Sequence, residues 1–246
     1  MKRQLVLFSG LFIMTASQAL AVVKTELFLD AGGGTTATVD VSDLGIVTCT
    51  GTCGGLVFPA FLTPHTTLMV TGSLGQFTID STGVGGLNAS LPTLQDLNQI
   101  EAASTGPGTL FAEFTDTDYC TGGEGCEGFD FVLSASTVND TAIAASTTDF
   151  AAFADSSNAV PAGTLIGAFL GLTGLSDSAS GTFANPVGTS GSLSSAASLN
   201  FSGVGRIQAN FQISSVASVP EPASIMLFGT LVGLAALKVR RKTHRI

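Results

Sequence analysis

The feature that most constrains the fold is a strict alternation of apolar and polar side chains near the end of the chain. Between residues 206 and 214, isoleucine, alanine and phenylalanine occupy every second position, and polar side chains occupy the positions between them. Because successive side chains of a strand point to opposite faces, this period of two predicts a strand with one face on a core and the other in water.

Seven further segments have strand composition and are separated by turns rich in glycine, serine, threonine and asparagine. They are residues 24–30, 36–41, 67–71, 76–80, 108–115, 129–137 and 193–201. Threonine, valine and phenylalanine favour strands, while the helix formers lysine, glutamate and arginine are scarce. Short strands with frequent turns predict an all-β fold, a two-sheet β-sandwich ectodomain flanked by an N-terminal signal helix and a C-terminal transmembrane helix.

The N-terminus has the three parts of a secretory signal peptide in the usual order. Lys2 and Arg3 precede an apolar stretch at residues 5–14, and small residues up to Ala21 form a cleavage site. We therefore expect export by the Sec translocon and removal of residues 1–21 by signal peptidase. An uncleaved anchor is the alternative, although the apolar stretch is short for a membrane span.

The basic residues are concentrated at the two ends of the chain. Seven of the nine lie in the first three or the last nine residues, whereas residues 22–220 hold two basic and seventeen acidic residues, a net charge of −15. Such a charge repels nucleic-acid phosphates and anionic lipid headgroups. We therefore predict no nucleic-acid partner for the central part.

The C-terminal tail joins a proline motif, an apolar run and a basic cluster. The motif consists of Val219, Pro220, Glu221, Pro222, Ala223 and Ser224. Its prolines keep the backbone extended and disfavour a helix before about residue 223. We expect a transmembrane helix over residues 224–239 and a basic tail over residues 240–246. The basic residues that would stop the chain on the cytoplasmic side are Lys238, Arg240, Arg241 and Lys242.

This tail resembles the PEP-CTERM sorting signal of Gram-negative bacteria, over residues 218–246. The resemblance implies that exosortase recognises the tail and cuts near the motif, with Glu221 as part of the recognised element and not as a catalytic acid. It implies a transient stay in the inner membrane, a final place at the cell surface or outside the cell, and an association with exopolysaccharide and biofilm. A plain membrane anchor without processing is the alternative.

The central part, residues 22–217, also resembles an uncharacterised ectodomain that recurs on PEP-CTERM proteins. The similar segments are residues 71–80, 96–98, 108–110 and 115–119. Taken alone, residues 91–103 fit a helix with a proline at its start, but in that ectodomain the Leu–Asn pair precedes a strand, so we predict a strand at 97–103. Residues 148–156 also fit one or two helical turns. The resemblance implies no known activity.

The four cysteines form two close pairs in sequence. Cys49 and Cys53 enclose three residues, and Cys120 and Cys126 enclose five. Four cysteines allow three disulfide pairings, and we favour these two local ones because glycine-rich loops bend easily. A zinc site built from all four thiolates is the rival, but neither the spacings nor an oxidising destination favours it.

A cluster of acidic residues is the one candidate ligand site. On an expected loop between two strands lie Asp116, Asp118, Glu124, Glu127 and Asp130. Three of them match positions of an EF-hand loop, but Cys120 and Thr121 replace an oxygen ligand and the turn glycine, so a true EF-hand is not expected. A looser Ca²⁺ site is one reading and a solvated loop held by a disulfide is the other, which we favour. No other cofactor is indicated.

No catalytic motif stands out. His65 is the single imidazole base in the exported part, and the sequence has no nucleophile elbow, zinc-protease motif or phosphate loop. Without tryptophan, and with one tyrosine, the chain has few of the usual sugar-stacking side chains. We therefore predict a non-enzymatic, exosortase-sorted surface or matrix protein. The alternatives are a Ca²⁺-dependent adhesin or carbohydrate-binding module, and a secreted hydrolase.

Overall fold

The computed structural model describes residues 23–62, 66–86, 94–119, 129–157, 159–184 and 191–217. These residues form fifteen strands and one short 3-10 turn at Thr141–Ile143. The strands are β1 Val23–Asp30, β2 Thr36–Ser42, β3 Val47–Gly51, β4 Leu56–Val57, β5 Ala60–Leu62, β6 Thr66–Leu74, β7 Phe77–Gly86, β8 Leu94–Ser104, β9 Gly108–Tyr119, β10 Phe129–Asn139, β11 Thr147–Asp155, β12 Thr164–Thr173, β13 Ser176–Phe183, β14 Gly191–Phe201 and β15 Gly205–Ala217.

The strands form two antiparallel sheets that pack face to face. The seven-stranded sheet has the order β12-β11-β14-β9-β1-β2-β3, and the eight-stranded sheet has the order β13-β10-β15-β8-β7-β6-β4, with β5 also paired to β6. Apolar side chains from alternate positions of both sheets fill one continuous core. The predicted all-β sandwich is therefore confirmed, whereas both predicted terminal helices lie outside the described residues.

Phenylalanine rings connect the two sheets through the core. Each of three ring pairs takes one partner from each sheet: Phe150–Phe211 at 5.3 Å between centroids, Phe77–Phe201 at 5.5 Å and Phe169–Phe183 at 6.0 Å. Aromatic pairs at these separations add to the free energy gained by burial alone. The pairs are spread along the sandwich and help to fix how one sheet lies on the other.

The strand with the clearest alternation is confirmed and is an interior strand of its sheet. β15 pairs with β10 on one side and with β8 on the other. Its alternate residues Ile207, Ala209, Phe211 and Ile213 are almost completely buried. A strand with two neighbours and one apolar face has its register fixed by both, because a slip by one residue would expose the whole apolar set.

Both segments that were compatible with a helix are strands. Residues 97–103 lie in β8, as predicted, and the helical alternative is wrong for its described part. The helical reading of residues 148–156 is also wrong, because β11 has Thr148, Phe150, Ala152 and Ala154 buried at every second position. The burial achieved by this alternation outweighs the helix propensity of the alanines.

Besides β11, five strands were missed by the sequence analysis. β4 and β5 are two and three residues long, and β3 is a short edge strand with almost no buried side chain. β12 has no regular alternation, and β13 alternates small polar residues with half-buried ones. Short or polar edge strands have too little hydrophobic periodicity to be recognised without their neighbours.

The sandwich has two distinct ends. The short connections from β8 to β9 and from β14 to β15 cross between the sheets at one end, which we call the far end. β1 begins and β15 finishes at the opposite end, so that Val23 and Ala217 both lie there. We call this the terminal end.

Candidate functional site

The outer face of the seven-stranded sheet presents carboxylates beside aromatic rings. In β1, β2 and β9, Leu27, Val39 and Phe114 face the core. The positions between such residues point outward, and the half-buried ones include Glu26, Phe28, Asp40, Phe111 and Glu113. We call these five residues the open face.

The carboxylates of the open face are close in the strand register. Glu26 lies opposite Asp40, and Glu113 lies opposite Phe28. Burial raises the pKa of Glu26 above its ordinary value of 4.5, and the charge and hydrogen bond of Asp40, then the charge of Glu113, raise it further. Burial likewise raises the pKa of Glu113, against a hydrogen bond from Ser194 that lowers it. The open face therefore favours a proton or a donor partner at these carboxylates.

The aromatic pair of the open face differs from the pairs in the core. Phe28 and Phe111 lie on the adjacent strands β1 and β9, with centroids 6.2 Å apart and ring planes tilted by 59°. Both belong to the same sheet and face away from the core. Half-buried rings beside carboxylate acceptors suit a ligand with an apolar face and hydroxyl or amine donors.

Ser194 fastens a loop to the border of the open face. Its hydroxyl lies 2.7 Å from the hydroxyl of Thr115 and accepts a 2.9 Å hydrogen bond from the backbone N–H of Ala162. Ser194 and Ala162 are both buried, although Ser194 points away from the core of the sandwich. The segment between β11 and β12 therefore covers part of the sheet and limits the open face on that side.

One of the two predicted disulfides lies in the described residues. Cys49 and Cys53 are bonded, with their Cα atoms 6.2 Å apart, and this prediction is confirmed. Cys49 is in the edge strand β3, and Cys53 is in the turn toward β4. The disulfide therefore links β3 to the segment that leads from one sheet to the other. Cys120 and Cys126 lie outside the described residues, and their pairing stays a prediction.

The structure separates the acidic residues that were predicted to share a loop. β9 continues to Tyr119, so Asp116 and Asp118 lie in a strand of the seven-stranded sheet, and Asp116 is buried. Asp130 lies in β10 of the other sheet. Placing the start of the cluster on a loop was therefore wrong, because the sequence 116–119 lacks apolar alternation and was not recognised as strand.

The calcium prediction stays open. Glu124 and Glu127 lie outside the described residues. Among the residues that are described, no group of three histidine, cysteine or acidic side chains is placed to hold a metal ion. A rise in melting temperature on adding Ca²⁺ would test it.

The predicted sorting residues, from Val219 to Lys242, also lie outside the described residues, as does His65. Among the residues that are described, none forms a helix with the length and hydropathy that a bilayer crossing needs.

The sequence analysis missed the open face. Its signal was present in residues 24–30 and 108–115. Between the positions that face the core, these segments carry glutamate, aspartate or phenylalanine. The sequence did not show that β1 lies between β2 and β9, and this order is what brings Glu26, Asp40 and Glu113 together.

The comparison with known families gives one match. Residues 218–242 match the family model of the PEP-CTERM protein-sorting motif. The match covers the proline motif, the whole of the following apolar run and the basic cluster, and it confirms the resemblance of the tail. No curated protein matches the chain.

Several solved structures are similar in fold. TmCBM61 in complex with β-1,4-galactotriose is 7% identical, with 65% of this chain and 88% of that chain covered and a TM-score of 0.31. The K1 cleaved adhesin domain of Lys-gingipain from Porphyromonas gingivalis is 12% identical, with 67% and 99% covered and a TM-score of 0.32. The xylan-binding module CBM15 is 13% identical, with 67% and 100% covered and a TM-score of 0.31. At these identities and scores the likeness carries no statement about what this chain binds or does.

Proposed function

Because residues 218–242 carry the PEP-CTERM protein-sorting motif, which implies export and a surface or extracellular location, we propose that this chain is a non-enzymatic matrix protein sorted by exosortase. In this proposal the Sec translocon exports the chain, and signal peptidase removes residues 1–21. The apolar run after the motif holds the chain in the inner membrane until exosortase cuts, and the ectodomain then works at the cell surface or within exopolysaccharide, as in a biofilm. The motif is the observation that carries the proposal.

Two properties of the ectodomain support this destination. The Cys49–Cys53 disulfide suits an oxidising compartment outside the cytoplasm. The net charge of −15 over residues 22–220 keeps such a domain hydrated and away from anionic membrane surfaces. Neither property requires a reaction, and the proposal contains no catalytic step. Turnover of a glycan or a peptide from a substrate panel would contradict that part of it.

The sorting proposal is tested in cells with and without an exosortase gene. A triple variant, Pro220→Ala with Glu221→Gln and Pro222→Ala, is compared with Pro107→Ala, which changes an exposed proline in the β8–β9 connection. We expect the wild type and Pro107→Ala to be cut and to leave the membrane only when exosortase is present, and the triple variant to stay uncut. Mass spectrometry of the mature ends and cell fractionation measure this. If the mass and location of the wild-type chain are the same without exosortase, the tail acts only as a membrane anchor.

The open face favours a second candidate function, the binding of a glycan. Phe28 and Phe111 offer ring surface for the C–H face of a sugar, and Glu26, Asp40 and Glu113 offer acceptors for its hydroxyl groups. The chain has no tryptophan, so this phenylalanine pair would have to supply the stacking. This candidate does not compete with sorting, because it concerns what the ectodomain does after release.

Affinity electrophoresis in gels that contain exopolysaccharide from the producing cells tests glycan binding. We expect the polysaccharide to slow the wild-type ectodomain and to slow Phe111→Ala much less. Val138→Ala is the control, because Val138 is an outward apolar residue of the eight-stranded sheet. Equal mobility of all three proteins with and without polysaccharide would count against binding at the open face and leave the sorting proposal intact.

A further inference from the structure

Both ends of the described sandwich leave it on the same side. β1 begins at Val23 and β15 finishes at Ala217, and both residues lie at the terminal end. The predicted signal segment precedes Val23, and the sorting motif follows Ala217. Any membrane attachment provided by these two segments therefore acts on one end of the sandwich, and the far end is directed away from it.

The sorting motif follows β15 without a spacer. The matched region starts at residue 218, and Pro220 is three residues beyond the end of the strand at Ala217. An extended chain spans at most about 3.6 Å per residue, so Pro220 lies no more than about 11 Å from Ala217. β15 is held by neighbours on both sides, with Ala217 opposite Phe129 of β10. An enzyme that cuts at the motif must therefore work next to the terminal end.

A rigid apolar turn projects from this end. The β2–β3 turn is fixed by Ser42, whose hydroxyl accepts hydrogen bonds from the N–H groups of Leu44 at 3.3 Å and Ile46 at 3.1 Å. The N–H of Ser42 donates to the carbonyl of Ile46 at 3.0 Å, and the N–H of Gly45 donates to the carbonyl of Ser42 at 2.9 Å. Gly45 has φ +74°, which favours glycine there.

The same turn leaves its two apolar side chains in water. Leu44 is 68% exposed and Ile46 is 54% exposed. Ser42 lies opposite Val23 in the strand register, so the turn stands beside the point where the chain enters the sandwich. Leu175 and Val204 are also exposed, but they lie at the far end, where neither Val23 nor Ala217 leaves the sandwich.

We propose that the terminal end rests on the membrane before processing, with Leu44 and Ile46 inserted into the lipid interface. This inference rests on the proposed membrane attachment through the sorting tail. The contact would hold the strands roughly perpendicular to the membrane and keep the motif at the bilayer surface, where a membrane enzyme works. The far end would then point away from the membrane. The partner is a lipid surface, because the chain connections at this end lead to the apolar runs at residues 5–14 and 225–237.

Charge does not supply this contact. The exported part is strongly acidic, and Asp43 lies within the turn beside Leu44. An anionic surface therefore repels the terminal end, and attraction has to come from burial of the two apolar side chains. On an uncharged bilayer the contact is consequently shallow, insensitive to salt and dependent on the tail that keeps the domain near the bilayer.

The absence of tryptophan makes a direct test possible, since one introduced tryptophan reports alone. Full-length chains carrying Leu44→Trp or Val204→Trp are incorporated into phosphatidylcholine vesicles with brominated acyl chains, which quench tryptophan on contact. The two native side chains are matched in exposure, at 68% and 65%. They lie at opposite ends of the sandwich, along which the 13 residues of β15 span roughly 40 Å.

We expect the Leu44→Trp emission to shift to the blue and to fall about twofold or more, as at an interfacial depth of about 5–10 Å. The Val204→Trp emission should not change. If the chains float with the vesicles and neither tryptophan is quenched, this inference is overturned and the sorting proposal stands. Quenching of both tryptophans would also overturn it, because the domain would have no fixed orientation.

Two further outcomes separate the possible causes of failure. If the full-length chain does not float with the vesicles, the membrane attachment in the proposed function fails, and the orientation fails with it. If Leu44→Trp shifts to the blue only in membranes that contain exosortase, without quenching by brominated lipid, the turn contacts the enzyme and the lipid assignment is wrong.

Discussion

On the open face, burial and neighbouring carboxylates both oppose the ionisation of a single side chain, Glu26. Glu26 is opposite Asp40 in the register. Among the described residues, neither carboxylate forms an ion pair with a basic side chain. By contrast, Glu101 on the other sheet forms an ion pair with Arg206, with 2.5 Å between Oε1 and Nη1. The raised pKa of Glu26 thus reflects a carboxylate that folding makes harder to ionise.

Glu26→Gln is expected to stabilise the ectodomain at neutral pH. With a folded pKa above the ordinary 4.5, Glu26 keeps its proton in the folded state after the unfolded state has lost its own. Stability therefore falls as the pH rises from 4.5 through the folded pKa. Glutamine removes this loss, by about 1 kcal/mol or less because the side chain is half-exposed and screened. Thermal unfolding between acidic and neutral pH measures the effect.

The matched control for this prediction is Glu101→Gln. It removes the ion pair with Arg206 and should bring no gain in stability at neutral pH. A Glu26→Gln protein whose melting temperature varies with pH as much as that of the parent would contradict the assigned cause.

At the scale of the elements, β14 shows how a strand can be buried on both faces. Its alternate residues Leu193, Ala197 and Leu199 lie in the core. On the opposite side, Ser194 and Ala196 are also buried, and the loop that contains Ala162 is hydrogen-bonded to Ser194. A central strand covered by a loop loses the clean alternation that a half-exposed strand such as β15 retains.

Ser194→Ala is expected to destabilise the ectodomain by about 1–3 kcal/mol, because it leaves the buried N–H of Ala162 and the hydroxyl of Thr115 without this partner. Ser198→Ala is the control, since Ser198 lies on the same side of β14 but is only half-buried. Urea unfolding measures both variants. Equal stability of the two would mean that the loop is not held by this hydroxyl.

At the scale of the whole molecule, stability depends on how the two sheets adhere. Phe211 is fully buried on β15 of one sheet and stacks on Phe150 of β11 in the other, with 28° between the ring planes. Apolar side chains of both sheets meet in one core, so the contact between the sheets depends on apolar burial and close packing. The strand that carries Phe211 was predicted, whereas residues 148–156 were interpreted as helical turns, and nothing in the sequence pairs these two rings.

Phe211→Ala is expected to cost about 3–5 kcal/mol of the free energy of unfolding, because it opens a cavity between the sheets. Phe28→Ala removes an equal ring from the open face, outside the core, and should cost clearly less. Denaturant unfolding of both variants measures the difference. If Phe211→Ala does not fold, Phe211→Leu gives a smaller cavity, and a loss no greater than that of Phe28→Ala would contradict the role of Phe211.

The sequence by itself determined the fold class, the strands with clear alternation, the local disulfide Cys49–Cys53 and the sorting tail. Each of these depends on residues near one another in the chain: a period of two, a short cysteine spacing, or an ordered motif. The tertiary structure alone decided the order of strands, and with it the open face and the separation of Asp116 from Asp130. It also decided that Val23 and Ala217 share one end. These features depend on contacts between distant segments, which side-chain periodicity leaves undetermined, since it fixes the face of each strand but not its neighbours.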